Sequence, residues 1–506
     1  MQIVWFKRDV RLEDNAALMG AVATGQTVLP LYIIEPALWQ QPDMSQRHYV
    51  FLQESLAELT KALEQRGSRL IIRLGEAVEV LEQLRQQFPV KGLWSHQETW
   101  NGWTYARDKR VLAWAREHGI AWQEPPQHGV IRRLKNRDGW AAKWYKQMAA
   151  PMLRLPTALP PLPILSSDAL PVPHKLGLRD DGCIARQQGG RTAGLRLLKT
   201  FLHQRGERYT REMSSPVMAF EACSRLSPYL SFGTVSLREV FQATEQRAHA
   251  LRGVSAEERS TWGGSLRSFS GRLRWHCHFI QKLEDASRIE FENFHSAYNG
   301  LRENDFNEAY FTAWKTGNTG YPMIDACMRA LIATGWLNFR MRAMLMSFSS
   351  YHLWLHWRQP ALHLARLFTD YEPGIHYSQA QMQSGTTGIN AIRIYNPIKQ
   401  GVDQDPSGVF IRQWVPELRD MPQSLLHTPW LRPDLCGDYP LPIVEEKDAR
   451  QNAAARLYGQ RKGQNYRIES KAIVEKHGSR KAGLPQQKAK KSRKAVVSPL
   501  QQELPL

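Results

Sequence analysis

Gln2-Ile3-Val4-Trp5-Phe6-Lys7-Arg8-Asp9-Val10-Arg11-Leu12-Glu13-Asp14-Asn15 opens the chain with an apolar run that turns abruptly to charge. Residues 3–6 read as a buried strand. The charged loop after them reads in two ways. It is a solvated turn with Asn15 capping the next helix, or a ligand-binding loop, because open α/β sheets bind ligands at strand C-terminal ends. Further short apolar runs at 28–34, 69–73 and 92–95 read as strands. The segments 45–66, 76–87 and 102–118 have apolar residues three and four apart and read as helices. Strand–helix alternation implies a parallel sheet covered on both faces, so residues 1–130 are expected to form a Rossmann-like α/β domain. No GxGxxG follows the first strand, which removes the main support for a dinucleotide dehydrogenase.

Beyond this domain the pattern changes. Seven prolines lie between Pro151 and Pro173, which forbids a helix there and marks 131–193 as an interdomain connector. Residues 194–440 lose strand signals and show helical spacing, as at 195–204, 267–282, 326–334 and 340–355, so an all-α domain is expected. Residues 441–506 form a basic C-terminal extension. From 447 onward it holds 15 Lys and Arg against 4 Asp and Glu. Within it, 449–476 reads as a helix and 483–506 as disordered.

The 506 residues carry 67 Lys and Arg against 48 Asp and Glu, a formal charge of +19. Such an excess suits an anionic partner such as nucleic acid, although it also serves plain solubility. The tail holds +11 of it and leaves +8 for the rest of the chain. Tail charge raises nonspecific affinity without specifying a target. The five cysteines are scattered and show no CxxC, which argues against a disulfide framework or a cysteine-bound metal. The charged start is not a signal peptide, and no stretch reads as a membrane span. A monomer in a reducing cytoplasm is expected. The 17 Trp match the 17 Phe, which suggests stacking or redox work beyond core filling.

Three further segments carry chemistry. Cys223-Ser224-Arg225-Leu226-Ser227-Pro228-Tyr229-Leu230 sets small hydroxyls ahead of a helix, either as an ordinary cap and turn or as donors to a phosphate. Trp314-Lys315-Thr316-Gly317-Asn318-Thr319-Gly320-Tyr321-Pro322 is followed by Gly335-Trp336-Leu337-Asn338-Phe339-Arg340-Met341-Arg342. Arg340 and Arg342 lie at different helix angles, so one can face a ligand while the other pairs internally. Asp370-Tyr371-Glu372-Pro373-Gly374-Ile375-His376 gathers two carboxylates and a histidine suited to a polar ring or ribose.

Taken in order, with Arg393-Ile394-Tyr395-Asn396-Pro397 and Gly408 to Leu418 after them, these segments resemble the photolyase/cryptochrome family of FAD-binding blue-light proteins. The likeness spans about 2–34 and 190–420. It implies an α/β antenna domain joined to a helical FAD domain. It implies that Tyr209, Cys223, Ser224, Leu226 and Ser227 hold the FAD pyrophosphate, with Cys223 where Thr is usual. It pairs Arg342 with Asp370 beside the isoalloxazine, sets Glu372 near the ribityl chain and ring, and puts His376 opposite flavin N5, where Asn, Asp or Cys is usual. His376 is then either a neutral hydrogen-bonding group or a titrating one.

The family's repair reaction is photoinduced electron transfer from reduced FAD to a flipped pyrimidine dimer. Trp275 matches its dimer-stacking Trp. Arg272 stands where cyclobutane-dimer enzymes carry Glu, Phe339 where they carry Asn, and Met382 where they carry a second Trp. Arg272 can stabilise a radical anion but cannot accept an imide N–H. In Trp275-His276-Cys277-His278, adjacent helix residues point about 100° apart, which disfavours a metal site; a proton-donating histidine for a (6-4) lesion is the alternative. The three-Trp photoreduction wire maps to Ala380, Trp357 and Asn304. Only Trp357 survives, so a rerouted path through Trp354, Tyr351 or Tyr377 is expected. Residues 95–108, with Trp100, Asn101, Trp103 and Tyr105, border an expected antenna pocket for a pterin or deazaflavin. Arg340, Arg393 and Arg412 are candidates for the DNA face. The leading expectation is a photolyase that repairs UV-induced pyrimidine dimers in DNA. The alternative is a cryptochrome-like photoreceptor that signals through its tail.

Overall fold

The computed structural model describes residues 1–160, 162, 165–255 and 260–479. Five parallel strands form one sheet in the order β3-β2-β1-β4-β5: β1 Gln2–Phe6, β2 Val28–Ile34, β3 Ile71–Leu74, β4 Gly92–Trp94 and β5 Ala121–Gln123. Strand β1 pairs Gln2 with Val28 on one side and with Gly92 on the other. All five of its residues are buried, as expected for a parallel sheet covered on both faces. The two-residue period divides them. Ile3 and Trp5 join Leu29, Leu31 and Ile33 in a satellite core. Val4 and Phe6 face the main core, which is continuous with the helical body. The N-terminal helices begin within two residues of their expected positions: Gln46–Glu64, Ala77–Gln87 and Gly102–Glu117. Asn15 caps its helix by accepting from Leu18 N. Strand β5 escapes the sequence reading because three residues, mostly exposed, carry no period.

The connector is not extended throughout, as the proline count suggested. Its early part folds as the helix Trp140–Ala149, which buries Trp140, Trp144 and Met148. Trp144 meets Phe241 edge-on, with ring centroids 5.3 Å apart. Among its described residues, the proline-rich part follows without a helix until the single turn Pro173–Leu176.

The body beyond it is helical. The helix Trp262–Asp285 lies against Pro373–Ser384. Gly374 permits that approach, since a Cβ there would stand 2.5 Å from the Ile280 Cα. The expected helix 340–355 is α only over Phe339–Ser347. It continues as a π turn at Phe348–His352 and ends at Trp354, with φ of 54°. The expected helix 449–476 is two helices, Glu446–Gln460 and Gln464–His477, broken at Gly463, whose φ is 113°. Both pack on the body. Leu457 joins Tyr298 and Tyr351, and Ile473 joins Leu283, Ile289 and Phe294. The stretch 483–506, expected to be disordered, lies outside the described residues. Among the described residues no helix is long and apolar enough to cross a membrane.

Candidate flavin site

Arg342 projects from Phe339–Ser347 and holds Asp370 through two parallel bonds of 2.9 and 2.8 Å. A third bond, from Nε to the Leu337 carbonyl at 2.7 Å, fixes the guanidinium plane, and the Phe368 ring lies 4.1 Å away. This fork geometry is what Arg offers and Lys does not. Glu372 precedes Pro373–Ser384 but makes no side-chain cap bond. Its Oε1 is buried without a partner. Burial raises this carboxyl to about 8, against the opposing charge of Arg8. At neutral pH it therefore keeps its proton and can donate as well as accept.

One helical turn on, His376 Nε2 lies 2.8 Å from the Ala361 carbonyl. A carbonyl only accepts, so Nε2 carries the hydrogen and Nδ1 is an acceptor. Burial lowers this imidazole to about 4, so it is neutral, one of the two alternatives the sequence left open.

The second half of the cleft comes from 205–231. Arg225 adopts φ of 59°. Its guanidinium covers Trp336 at 4.1 Å and Phe220 at 4.8 Å, and Nε donates to Gln187 at 3.1 Å. The Arg225 side chain is thus structural, while Cys223, Ser224 and Ser227 are left half-buried beside it. Arg205 ties down the Cys223 carbonyl at 2.7 Å. Burial raises the Cys223 thiol to about 12, and Arg225, Arg205, Arg272 and Arg342 oppose the rise. Tyr209 is raised to about 12 by burial, again opposed by Arg272. Arg272 thus acts on both Tyr209 and Cys223, Arg342 acts on Cys223, and Leu226 between them in sequence is buried. Arg272 also reaches the Met213 sulfur, 3.7 Å away. Small hydroxyls and arginines gather on 205–231, and a fixed ion pair, a protonated carboxyl and a neutral imidazole on 342–376.

Comparisons with known proteins give the family of the chain. Residues 2–163 match the family model described as DNA photolyase, and 269–459 match the FAD binding domain of DNA photolyase. The chain belongs to the photolyase/cryptochrome family. It is 30% identical over 497 residues to the deoxyribodipyrimidine photo-lyase of Escherichia coli strain K12, covering 91% of this chain and 99% of that one. It is 27% identical to a cryptochrome DASH of Gloeobacter violaceus, covering 90% and 94%. A crystal structure of a class III photolyase from Agrobacterium tumefaciens superposes with a TM-score of 0.77 at 25% identity, covering 91% and 98%. The helical body is the family's FAD-binding domain, so FAD is the group this cleft is built to hold. Arg342, Asp370, Glu372 and His376 lie inside the matched span, and Tyr209 with 223–227 lies between the two spans. The orphaned Glu372 oxygen and the free Nδ1 of His376 fit the polar edge of a flavin.

Other expected residues stand elsewhere. Trp275 leans on His278 and Phe279, at 4.7 and 5.6 Å between centroids. It borders a cavity of about 120 Å³ with Arg137, Trp140 and Arg274. Met382 is half-buried, Phe339 and Arg393 are exposed, and Asn304 is exposed. Arg340 and Arg393 both oppose the rise that burial gives the half-buried Tyr395 hydroxyl. Arg412 is held by the carbonyls of Ser407, Arg419 and Met421. Trp357 is fully buried and donates to Asn293 at 2.8 Å.

The residues 95–108 do border a pocket, at the C-terminal ends of β1 and β2 beside the β1/β4 switch point. Trp100 lines it, but Asn101 caps Gly102–Glu117 and binds Asp43, and Tyr105 is exposed. Sequence reasoning missed Arg8, which fills the pocket. Its guanidinium carbon is 3.3 Å from the Trp100 ring centroid, and it bonds the Ser231 carbonyl and hydroxyl. The remaining space is about 30 Å³, so a pterin or deazaflavin ring enters only if Arg8 leaves Trp100. The signal available was the charge density of 7–14 directly after β1.

Proposed function

We propose that this protein is an FAD-dependent, blue-light-driven DNA photolyase that splits UV-induced pyrimidine dimers by electron transfer from reduced flavin. One observation carries the reading. The Arg342–Asp370 pair is fixed by two bonds, with Glu372 and His376 following on the same stretch of chain, in a chain that aligns with 99% of an enzyme named deoxyribodipyrimidine photo-lyase. FAD supplies the photochemistry. The chain binds it, orients it and keeps water from it. We assign Trp275 to stacking a flipped base, and Arg272 and Met382 to further contacts with the lesion. Arg340 and Arg393 meet the phosphate backbone, where charge sets affinity and salt dependence.

The second reading is a photoreceptor without repair. It is favoured by Arg272, a cation where cyclobutane-dimer enzymes carry a carboxylate. The test is illumination of the chemically reduced holoprotein with oligonucleotides bearing a cyclobutane dimer or a (6-4) photoproduct, single- and double-stranded. Light-dependent return of intact pyrimidines is expected for at least one of them. No repair of either lesion in either form rejects the photolyase reading and leaves the receptor.

A further inference from the structure

The missing indole at 380 leaves a specific arrangement behind it. Ala380 is buried on Pro373–Ser384, and Tyr377 lies three residues earlier on a neighbouring face of that helix. The Tyr377 ring contacts Trp357 at 6.2 Å between centroids and His376 at 5.4 Å. It thus lies between the surviving tryptophan and the residue expected opposite flavin N5. Tyr351 and Trp354, the other expected substitutes, turn to Arg302 instead, at 5.7 and 4.4 Å.

Burial holds the Tyr377 phenol above its ordinary value, so it parts with its proton only as it is oxidised, along a hydrogen bond already in place. Its hydroxyl is 3.2 Å from the Tyr371 hydroxyl. Tyr371 in turn lies 2.7 Å from an Asp43 carboxylate oxygen. Tyr371 has one hydroxyl hydrogen and a carboxylate cannot donate, so that hydrogen points to Asp43 and Tyr377 donates to Tyr371. Asp43 is buried, accepts from Asn101 at 3.1 Å, and has a second oxygen with no partner. A row of two phenols therefore ends on a buried carboxylate with unused capacity. A purely structural tyrosine pair needs no such terminus, because burying an under-used carboxylate is costly.

We propose that Tyr377 is a redox-active tyrosine that supplies the photoreduction electron in place of an indole at 380, with Tyr371 and Asp43 as its proton relay. The step balances. Tyr377 gives one electron toward the light-excited oxidised flavin. Its hydroxyl proton moves to the Tyr371 oxygen as the Tyr371 proton moves to Asp43. Tyr377 becomes a neutral phenoxyl radical, Tyr371 remains a phenol and Asp43 becomes a carboxylic acid. An external thiol then returns one electron, and the two protons shift back. Proton loss traps the oxidising equivalent on Tyr377 rather than on Trp357.

The proposal rests on FAD binding in this cleft but not on repair. Flavin content is measured on every variant, and illumination is done on the oxidised, full-length holoprotein without DNA. A light-induced tyrosyl radical is expected by electron paramagnetic resonance, narrowed by ring-deuterated tyrosine and formed more slowly in D2O. It is lost in Tyr377→Phe and persists in Trp357→Phe and Tyr351→Phe. The same signal in Tyr377→Phe, or a tryptophanyl signal in the wild type, overturns the proposal. Should Tyr377→Phe fail to bind FAD, Asp43→Asn decides. Loss of the signal with flavin retained supports the relay, and an unchanged signal overturns it. Chemically reduced Tyr377→Phe repairs DNA like the wild type if repair occurs at all, so a failure of repair and a failure of the relay are told apart.

Discussion

The flavin cleft and the pocket at the ends of β1 and β2 are both lined with buried charge, but they balance it in opposite ways. In the pocket, Arg107 bonds Glu35, Glu98 and Asp108 at 2.9, 2.5 and 2.8 Å, and Lys7 adds Asp108 at 3.0 Å. Arg8 completes it by covering Trp100. Each of these carboxylates answers a cation, with one Glu35 oxygen left over, and little space remains. In the cleft, only Arg342 and Asp370 answer each other. Glu372 and His376 keep hydrogen-bonding capacity that nothing in the chain uses. A site that must receive a polar ligand leaves such capacity; a region that holds a fold together consumes it.

The largest effect is expected where the balance is complete. Arg107→Met strands the buried Glu35 and leaves Glu98 and Asp108 to Lys7 alone, and breaking a buried ion pair from one side costs about 3–5 kcal/mol. Denaturant melts should show a loss of that size with flavin content per folded molecule unchanged. A loss below about 1 kcal/mol would mean that the network is no tighter than a surface one.

The next effect tests the cleft. Asp370→Ala removes the partner of Arg342 and frees the guanidinium, whose plane then rests on the Leu337 carbonyl and Phe368 alone. Charge-assisted hydrogen bonds contribute about 1.5–3 kcal/mol. Flavin retention on gel filtration and a fluorescence titration should show weakening of that order. Arg107→Met should leave both readouts untouched. Equal flavin loss in the two variants would erase the contrast between the regions.

How far this contrast could be read in the sequence follows from range. Local period located β1 to β4 and the long helices, because burial on one or both faces repeats every two or three to four residues. It failed at β5, which is too short to repeat, and at Trp140–Ala149, which lies just ahead of the prolines that coloured the whole connector. Motif resemblance named Arg342, Asp370, Glu372 and His376; the structure joins Arg342 to Asp370 and sets both within electrostatic reach of His376. It could not show that Arg225 turns its side chain onto Trp336, which depends on a left-handed backbone at one residue. Nor could it show Asp43 behind Tyr371, 328 residues away in sequence. Contacts of that range leave no local period, and Asp43 alone in its loop looks like any solvated acid.

The smallest expected effect concerns Arg8, whose charge spans the two regions. It belongs by contact to the pocket, yet it is the group that opposes the rise of Glu372 in the cleft. Burial chiefly drives that carboxyl upward, because the charged form loses its water, and Glu98 adds to the rise. Glu372 at about 8 in the folded chain, against 4.5 as its ordinary value, means that the folded protein binds this proton more tightly than the unfolded one. The stabilisation it brings is complete below pH about 4.5 and is lost as pH rises toward about 8. In Arg8→Met burial is unopposed, so the loss should continue to higher pH. A shift of about one pH unit corresponds to about 1.4 kcal/mol. Urea melts of wild type and Arg8→Met across that range should run parallel in acid and diverge in alkali, on top of a constant cost of about 1 kcal/mol for the lost Trp100 contact. The divergence should vanish in a Glu372→Gln background, where no proton binds. Parallel curves throughout would show that pocket and cleft are electrically independent. Divergence that survives Glu372→Gln would move the coupling to another acid in the pocket, of which Glu98 is nearest in charge to both Arg8 and Glu372.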